Sequence, residues 1–232
     1  MPVSHKNKVI FVHIPKSAGK SINEALGIPF PGNKPEEKSY FAGPLSEEEK
    51  LMHGLGHHVW WGHLFASELK AFIPSNIFRE YYKFAFVRNP WDRTVSYYMK
   101  HVIGNERFEN NRSFENWILS HEFLNKKALW VEVLVPQVDY VLDNEGQRLV
   151  DFIGKFEDLE KDWKKIRRKI DIMADLPHIN KSEHKHYSFY YNKKTEEIVA
   201  DAFKKDIEMF GYKFEDNSKI IEKSKYLIVK FR

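Results

Sequence analysis

Two short apolar runs, each followed by a loop and the start of a helix, constrain the fold of this chain more than any other feature. The runs are Val9–Val12 and Tyr82–Val87, both rich in β-branched and aromatic residues and therefore typical of buried strands. A loop at residues 14–19 and a predicted helix at 20–26 follow the first run. Strands that alternate with helices predict an α/β fold whose central, mostly parallel sheet is flanked by helices.

The rest of the chain fits the same alternation. Asn89 and Pro90 have the residue types of a helix N-cap and first helical position, so a helix is predicted to about residue 99. Further predictions are a helix opened by a capping box at 46–49, mainly helix over 113–142 with a possible strand at 138–142, and a strand at 150–156. Apolar residues at helical spacing predict one helix from Leu159 and another that ends before Gly211. We predict one domain over residues 1–232, with an inserted, substrate-side segment at 27–62 and an ambiguous tail at 219–232.

Composition excludes several classes of protein. The 232 residues include no cysteine, which excludes disulfides, thiol nucleophiles and thiolate metal sites. The net charge of +4 is compatible with an anionic ligand but does not favour nucleic acid. No apolar run is long enough for a signal peptide or transmembrane segment. A cytoplasmic protein is expected, or a lumenal domain of a membrane-anchored enzyme if the sequence is part of a longer chain.

The loop HIPKSAGKSI, which follows the first predicted strand, has the residue types of an anion site. Small residues at Ser17, Ala18 and Gly19 let the backbone approach a ligand, and helix-start N–H groups attract negative charge. Gly19-Lys20-Ser21 matches the end of the ATP-binding pattern G-x-x-x-x-G-K-[ST], but Ile14 stands where that pattern needs its first glycine. An ordinary turn with two solvated lysines remains an alternative.

A second polar segment, RNPWDRTVSYY, follows the second predicted strand. Arg88 stands at the strand end, where open α/β sheets bind ligands, and Asn89, Arg93 and Ser96 follow at helical spacing. The planar fork of an arginine suits phosphate, and a serine adds a hydroxyl donor. Two such elements favour a ligand with two separate phosphate groups, although Arg88 could instead pair with a surface group.

These two segments together resemble the sulfotransferases that use 3′-phosphoadenosine 5′-phosphosulfate (PAPS). HIPKSAGKSI resembles their 5′-phosphosulfate loop, and RNPWDRTVSYY resembles their 3′-phosphate segment. The later stretches IGKFEDLEKDW, LPHINKSEH and VADAFKKDIEMFGYKF are similar to blocks of the carbohydrate branch, the Golgi-type or family 2-like enzymes. The resemblance spans most of residues 8–214 and implies a P-loop-like, three-layer α/β core.

The resemblance also implies roles for individual residues. Lys16 matches the lysine at the bridging oxygen of the phosphosulfate, while Arg88 and Ser96 match the ligands of the 3′-phosphate. The 5′-phosphate cradle is matched by the backbone N–H groups of Ser17, Ala18, Gly19, Lys20 and Ser21. Lys181 and Ser182 fall in a late loop that adds phosphate or adenine contacts in the family. Lys20 departs from the usual threonine, which leaves open which lysine faces the sulfate.

Sulfuryl transfer to an alcohol needs a base for the hydroxyl proton, and histidine suits this task because its pKa is near 6.5. His63 follows an apolar run and a glycine in VWWGHLF, an arrangement that predicts a strand end. It also matches the G-H element that carries the base in related carbohydrate sulfotransferases. His63 is therefore the predicted base and His58 the second candidate, with a purely structural histidine as the alternative.

Two histidine groups raise the alternative of zinc, and no metal site is predicted. His53 and His57 have i, i+4 spacing, but two glycines in HGLGHH weaken the helix that would align them. A second group comprises His178, His184 and His186.

The leading hypothesis is a PAPS-dependent sulfotransferase that acts in line on a hydroxyl acceptor, on a glycan or glycoconjugate, releases 3′,5′-bisphosphoadenosine (PAP) and requires no metal. Two alternatives stay open. One is an ATP-dependent P-loop kinase that uses Lys20 and Ser21, and the other is a nucleotide- or glycan-binding module without turnover. The sequence leaves the oligomeric state undetermined.

Overall fold

The computed structural model describes residues 3–28, 63–103, 113–124, 134–177 and 185–217. These residues fall into two compact units, the first within Met1–Val87 and Gln137–Asn180, and the second within Arg88–Pro136 and Lys181–Arg232. The single domain expected over 1–232 stays a prediction. The predicted features at 29–62 and at the tail from residue 218 lie outside the described residues.

The first unit contains a four-stranded sheet in the order β1-β2-β3-β4. The strands are β1 Val3–Ser4, β2 Val9–Val12, β3 Tyr82–Val87 and β4 Phe152–Lys155. β2, β3 and β4 pair in parallel, with Val12 opposite Ala85, whereas the short edge strand β1 runs antiparallel to β2. The predicted α/β fold with a mostly parallel sheet is confirmed, and β1 is an addition that the sequence did not indicate.

Five α-helices among the described residues belong to the first unit. They are α1 Gly19–Ala25, α2 Ala66–Phe72, α3 Ser75–Glu80, α6 Val138–Val141 and α7 Leu159–Lys169. One face of β2 and β3 packs against α1 and α7 in a core of Val9, Phe11, Ile22, Leu26, Phe84, Phe86, Trp163 and Ile166. The alternate strand residues, such as Ile10 and Val87, are also fully buried. A sheet that is buried on both faces is typical of parallel strands in α/β proteins.

The second unit contains helices only, among the residues described. They are α4 Pro90–Tyr98, continued by a π-helical turn at Met99–Ile103, then α5 Phe114–Leu119, α8 Lys193–Ala202 and α9 Lys204–Phe210, with a 3₁₀ turn at Tyr187–Tyr190. Asn89 caps α4 by accepting from the N–H of Trp91 at 3.1 Å, which confirms the predicted N-cap and the proline after it. The indole of Trp91 donates to the carbonyl of Glu196 in α8 at 3.0 Å.

Two predictions of secondary structure are wrong. The possible strand at 138–142 is the helical turn α6, and only Leu142 forms an isolated antiparallel bridge, with Arg148. The β-branched residues of this stretch gave a strand signal that local helical hydrogen bonding overrides. The single helix predicted before Gly211 is two helices, because the backbone bends at Phe203, whose φ is −115°. Gly211 ends α9 with a φ of 66°, as predicted.

No helix among the described residues is both long and apolar enough to cross a bilayer.

Buried tyrosines give the second unit a testable dependence on pH. Burial raises the pKa of Tyr187 to about 12, and its hydroxyl accepts from the N–H of Glu215 at 2.8 Å. Burial also raises the pKa of Tyr191, whose hydroxyl donates to the carbonyl of Trp91. Above a pH of about 10 the unfolded chain releases tyrosine protons that the native state retains, so the free energy of unfolding must fall as the pH rises toward 12.

We expect Tyr187→Phe to make this alkaline decline shallower, because the variant no longer holds that proton. Urea unfolding of the wild type and the variant at pH 9, 10 and 11 measures the decline, with circular dichroism at pH 8 as the control for folding. Equal declines in the two proteins would contradict the assignment to Tyr187.

Candidate active site

The loop between β2 and α1 has an unusual backbone that suits an anion. Lys16 and Ala18 both have left-handed backbone torsions, with φ of 71° and 66°, and neither is a glycine. Left-handed residues at alternate positions of a loop are one element of the backbone arrangement called an anion-binding nest, in which successive N–H groups point toward one anion. Such torsions are costly for residues with a Cβ and persist where the surrounding structure enforces them, often at functional sites. The two strained residues therefore make this loop a candidate anion site.

Polar groups around the nest also fit an anionic ligand. No side chain caps the start of α1, and its first turn carries no acidic residue. Ser17 is 1% exposed, and its Oγ has no hydrogen-bond partner among the described residues. A buried hydroxyl without a partner costs free energy, which a ligand oxygen at this loop would offset. Ser21, in the first turn of α1, is buried as well.

The two lysines of the loop differ in their surroundings. Lys16 is half-buried and lies in the strained part of the loop, whereas Lys20 is exposed on the first turn of α1. This difference favours Lys16 as the lysine that is fixed relative to a ligand in the nest. An exposed lysine keeps more of its rotamer freedom, so holding it on a ligand costs more entropy.

His63 lies beside the phosphate loop, within the first unit. Its Nδ1 is 3.0 Å from the carbonyl oxygen of His13, the residue that follows β2. A carbonyl oxygen only accepts, so Nδ1 must carry the proton, and in the neutral ring Nε2 then has the lone pair. This is the tautomer that a base acting through Nε2 would need. His63 is in 3₁₀ conformation just before α2, so the expectation that it ends a strand is wrong for the residue itself.

His13 connects His63 to the loop through its ring as well as its carbonyl. The ring centroids of His13 and His63 are 4.3 Å apart, and the His13 ring stacks on Phe11 of β2 at 5.5 Å. The His13 ring also lies directly against Gly19, because a Cβ added to Gly19 would overlap the ring atoms. Gly19 is thus required by the packing of a histidine against the loop.

Arg88, the predicted 3′-phosphate ligand, is held by an ion pair in the second unit. Its Nε is 2.8 Å from Oδ2 of Asp92 in the first turn of α4, and both side chains are largely buried. A guanidinium held at one edge by a carboxylate keeps a defined orientation. Ser96, two turns further along α4, is also buried.

Two other polar residues of this segment have structural roles. Arg93 is 1% exposed and donates through Nη1 to the carbonyl of Val135 at 2.8 Å. Asn89 donates through Nδ2 to the carbonyl of Lys213 at 3.1 Å, in addition to capping α4. Asn89 and Arg93 therefore have hydrogen bonds within the protein, and their helical spacing with Ser96 is not by itself evidence that they bind phosphate.

A comparison with known protein families identifies the family to which this chain belongs. A sequence model described as "Sulfotransferase family" matches residues 1–213. The chain belongs to the sulfotransferase family. An uncharacterized protein of the archaeon Archaeoglobus fulgidus is 32% identical over 104 residues, which are 45% of this chain and 79% of that protein. Family membership supports a transferase that moves a sulfuryl group, and it confirms the resemblance seen in the two phosphate segments.

Several predicted residues of this sulfotransferase lie outside the described parts of the chain. They are Lys181 and Ser182, together with His53, His57, His58, His178 and His184. His186 is described, and its Nδ1 lies 2.9 Å from Oγ of Ser188 and accepts from the N–H of that residue, so it caps the 3₁₀ turn. No group of three or more potential metal ligands occurs within 3–28, 63–103, 113–124, 134–177 or 185–217. The absence of a metal site remains a prediction.

Sequence reasoning missed two residues that shape the site. His13 stands inside the quoted loop motif, but only the fold shows that it contacts both His63 and Gly19. The second is Asp92. Its ion pair with Arg88 could have been predicted from the sequence, because the two residues are four positions apart at the start of a predicted helix.

The contact between His13 and Gly19 predicts that the effect of Gly19→Ala on the free energy of unfolding depends on the residue at position 13. Gly19→Ala should destabilise the protein by about 1–3 kcal/mol, because the new methyl group overlaps a buried ring. In a His13→Ala background the same substitution should be neutral or slightly stabilising, since alanine favours a helix more than glycine. Urea unfolding of the four proteins measures both effects. Equal costs of Gly19→Ala in the two backgrounds would show that the ring does not occupy this space.

Proposed function

We propose that this sulfotransferase moves the sulfuryl group of PAPS to a hydroxyl group of a carbohydrate acceptor, with His63 as the base. The observation that carries this proposal is the hydrogen bond from Nδ1 of His63 to the carbonyl of His13, which supports a lone pair on Nε2 beside a loop with two left-handed residues. Both features belong to the first unit. The hydrogen bond to His13 and the left-handed loop together support a base and a donor site in one place.

The donor is expected to bind through residues 16–21 with its 5′-phosphosulfate. The nest of backbone N–H groups and the hydroxyls of Ser17 and Ser21 would hold the 5′-phosphate oxygens. Lys16 would place its ammonium at the oxygen that bridges phosphorus and sulfur. Negative charge develops on this oxygen as its bond to sulfur breaks. PAPS supplies an activated sulfuryl group with a phosphate leaving group, so a β,γ-bridging Mg²⁺ has no counterpart here.

The 3′-phosphate is expected to bind to Arg88 and Ser96. Arg88 offers a guanidinium that Asp92 orients, and Ser96 offers a hydroxyl donor on the same helix. An arginine fork forms two parallel hydrogen bonds to phosphate oxygens, which a lysine cannot do. ATP lacks a 3′-phosphate, so these two residues support PAPS over ATP.

The transfer step conserves atoms and charge. Nε2 of His63 takes the proton of the acceptor hydroxyl while the acceptor oxygen forms a bond to sulfur. The bond between sulfur and the 5′-phosphate oxygen breaks in line with it, and that oxygen leaves with its electron pair as part of PAP. Lys16 stabilises the charge on the departing phosphate, and the positioned base adds a factor of 10²–10⁴.

A carbohydrate acceptor follows from the resemblance to the carbohydrate branch. Tyr97 and Tyr98, which are near the second motif and could in principle stack on a sugar, are buried against Trp117 of α5. They belong to the core of the second unit. Trp60 and Trp61 lie outside the described residues.

We expect PAP to bind without Mg²⁺ and more tightly than ATP, because the two phosphate-binding segments match a nucleotide with phosphates at both the 3′ and 5′ positions. Isothermal calorimetry with PAP and with ATP, each with and without Mg²⁺, measures this. Arg88→Lys should weaken PAP binding by tenfold or more while leaving adenosine 5′-phosphosulfate, which has no 3′-phosphate, nearly unaffected. Binding of ATP alone, and only with Mg²⁺, would replace the proposal with the kinase alternative.

His63→Ala should lower turnover by 10²–10⁴-fold and leave the Kd for PAP nearly unchanged, since the base acts on the acceptor proton. Transfer of radiolabelled sulfate from PAPS to a set of simple glycosides measures turnover, and calorimetry measures the Kd.

His5→Ala is the matched control for this substitution. His5 is also a histidine of the first unit, but its Nδ1 lies 2.7 Å from the hydroxyl of Tyr81 and it has no assigned role in the site. Turnover by the His5→Ala variant should stay near the wild-type value. Undiminished transfer by His63→Ala would exclude His63 as the base, and PAP binding without transfer to any hydroxyl acceptor would favour a binding module.

A further inference from the structure

His13 has more contacts to the candidate site than its place in the sequence suggests. It follows the last residue of β2, is 5% exposed, and stacks on Phe11 with an interplanar angle of 20°. Phe11 is fully buried in the sheet core and stacks in turn on Phe84 at 5.1 Å. The ring of His13 is therefore held in place by its stacking on the core of the first unit.

Two functional elements rest on this fixed ring. Gly19, which begins α1 and closes the phosphate loop, lies so close that it has no room for a Cβ. His63 lies on another side, with its ring at 4.3 Å and its Nδ1 hydrogen-bonded to the His13 carbonyl. A displacement of the His13 ring would disturb both elements, because packed interiors transmit small shifts.

We propose that His13 is a positioning residue that holds the base His63 in register with the phosphate loop. Its ring packs against the imidazole of His63 and keeps Nδ1 on the His13 carbonyl, so the ring controls both the tautomer of His63 and its distance from the loop that ends at Gly19. The catalytic part of this proposal rests on the proposed function of His63. Its structural part, the control of the His63 tautomer by His13, does not.

A ring that only filled space would behave differently from a positioning residue. If His13 only packed in the core, its replacement would lower stability, and it would reduce activity by the same factor whether or not His63 is present. A residue that acts through His63 has an effect on turnover that disappears once His63 is removed, since residues acting as a unit are not additive.

The kinetic test is a double-mutant cycle with His13→Ala, His63→Ala and the double variant. We expect His13→Ala to lower kcat by about 100-fold, the scale of a misplacement near 1 Å, and to change kcat no more than twofold in the His63→Ala background. Calorimetry with PAP separates an effect on the loop from an effect on the base. The same fold loss in both backgrounds would overturn the proposal. Rates are measured with the best glycoside acceptor of the wild type, at a temperature where all four proteins are folded.

The spectroscopic test needs no turnover. In protein labelled with ¹⁵N at histidine, the ring nitrogen shifts of His63 at pH 8, identified by their loss in His63→Ala, show which nitrogen carries the proton. We expect a proton on Nδ1 in the wild type and a substantial shift toward Nε2 in His13→Ala, where the ring no longer keeps His63 on the carbonyl. A wild-type proton on Nε2, or an unchanged tautomer in His13→Ala, would overturn the proposal. If PAP does not bind and no acceptor is sulfated, the proposed function fails while this measurement still decides the role of His13.

Discussion

The contact of the His13 ring with Gly19 is the constraint on which the candidate site depends. Phe11 and Phe84, buried in adjacent parallel strands, fix the ring at the end of β2. The ring then determines how closely α1 can begin, and only a glycine fits at that point. His63 comes from a distant part of the sequence, contacts the same ring, and donates a hydrogen bond from Nδ1 to the backbone carbonyl of His13. The side chain of His13 therefore connects the sheet core both to the loop before α1 and to His63, the proposed base.

The loop that leaves this contact carries backbone strain, and the core explains how the strain is tolerated. Left-handed torsions at Lys16 and Ala18 each cost on the order of 1 kcal/mol. Ile14, before the loop, is fully buried, and Ile22, after it, packs against Phe11 and Trp163. Full burial of one such side chain contributes about 1.5–3 kcal/mol, so the two isoleucines offset the strain between them. Buried residues thus fix the chain on both sides of a loop that contains two strained backbone conformations.

The parallel strands and the first helix of each segment were predictable because their signals are local. Val9–Val12 and Tyr82–Val87 are strands as predicted, and Asn89 with Pro90 opens α4. Local signals failed at 138–142, where β-branched residues form a helical turn, and at Phe203, where one apolar stripe continues across a bend. The role of His13 depends on a residue 50 positions away, and no periodicity within one segment shows such a contact. The hydrogen bond of the buried Arg93 is likewise long-range, because its acceptor is the carbonyl of Val135, 42 positions further along the chain.

The same geometry answers whether Gly19-Lys20-Ser21 is the end of an ATP loop that has lost its first glycine. A glycine of that loop would stand at position 14, where the backbone must approach phosphate. Ile14 instead is fully buried, so position 14 belongs to the hydrophobic interior and the anion loop begins after it. Gly19 is required by the ring of His13, a reason unrelated to ATP. Lys20 is exposed on the first turn of α1, whereas Lys16 lies half-buried in the left-handed part of the loop. Counted from Pro15 and Lys16, the loop needs no glycine at position 14, and its left-handed residues support the proposed phosphosulfate site beside His63.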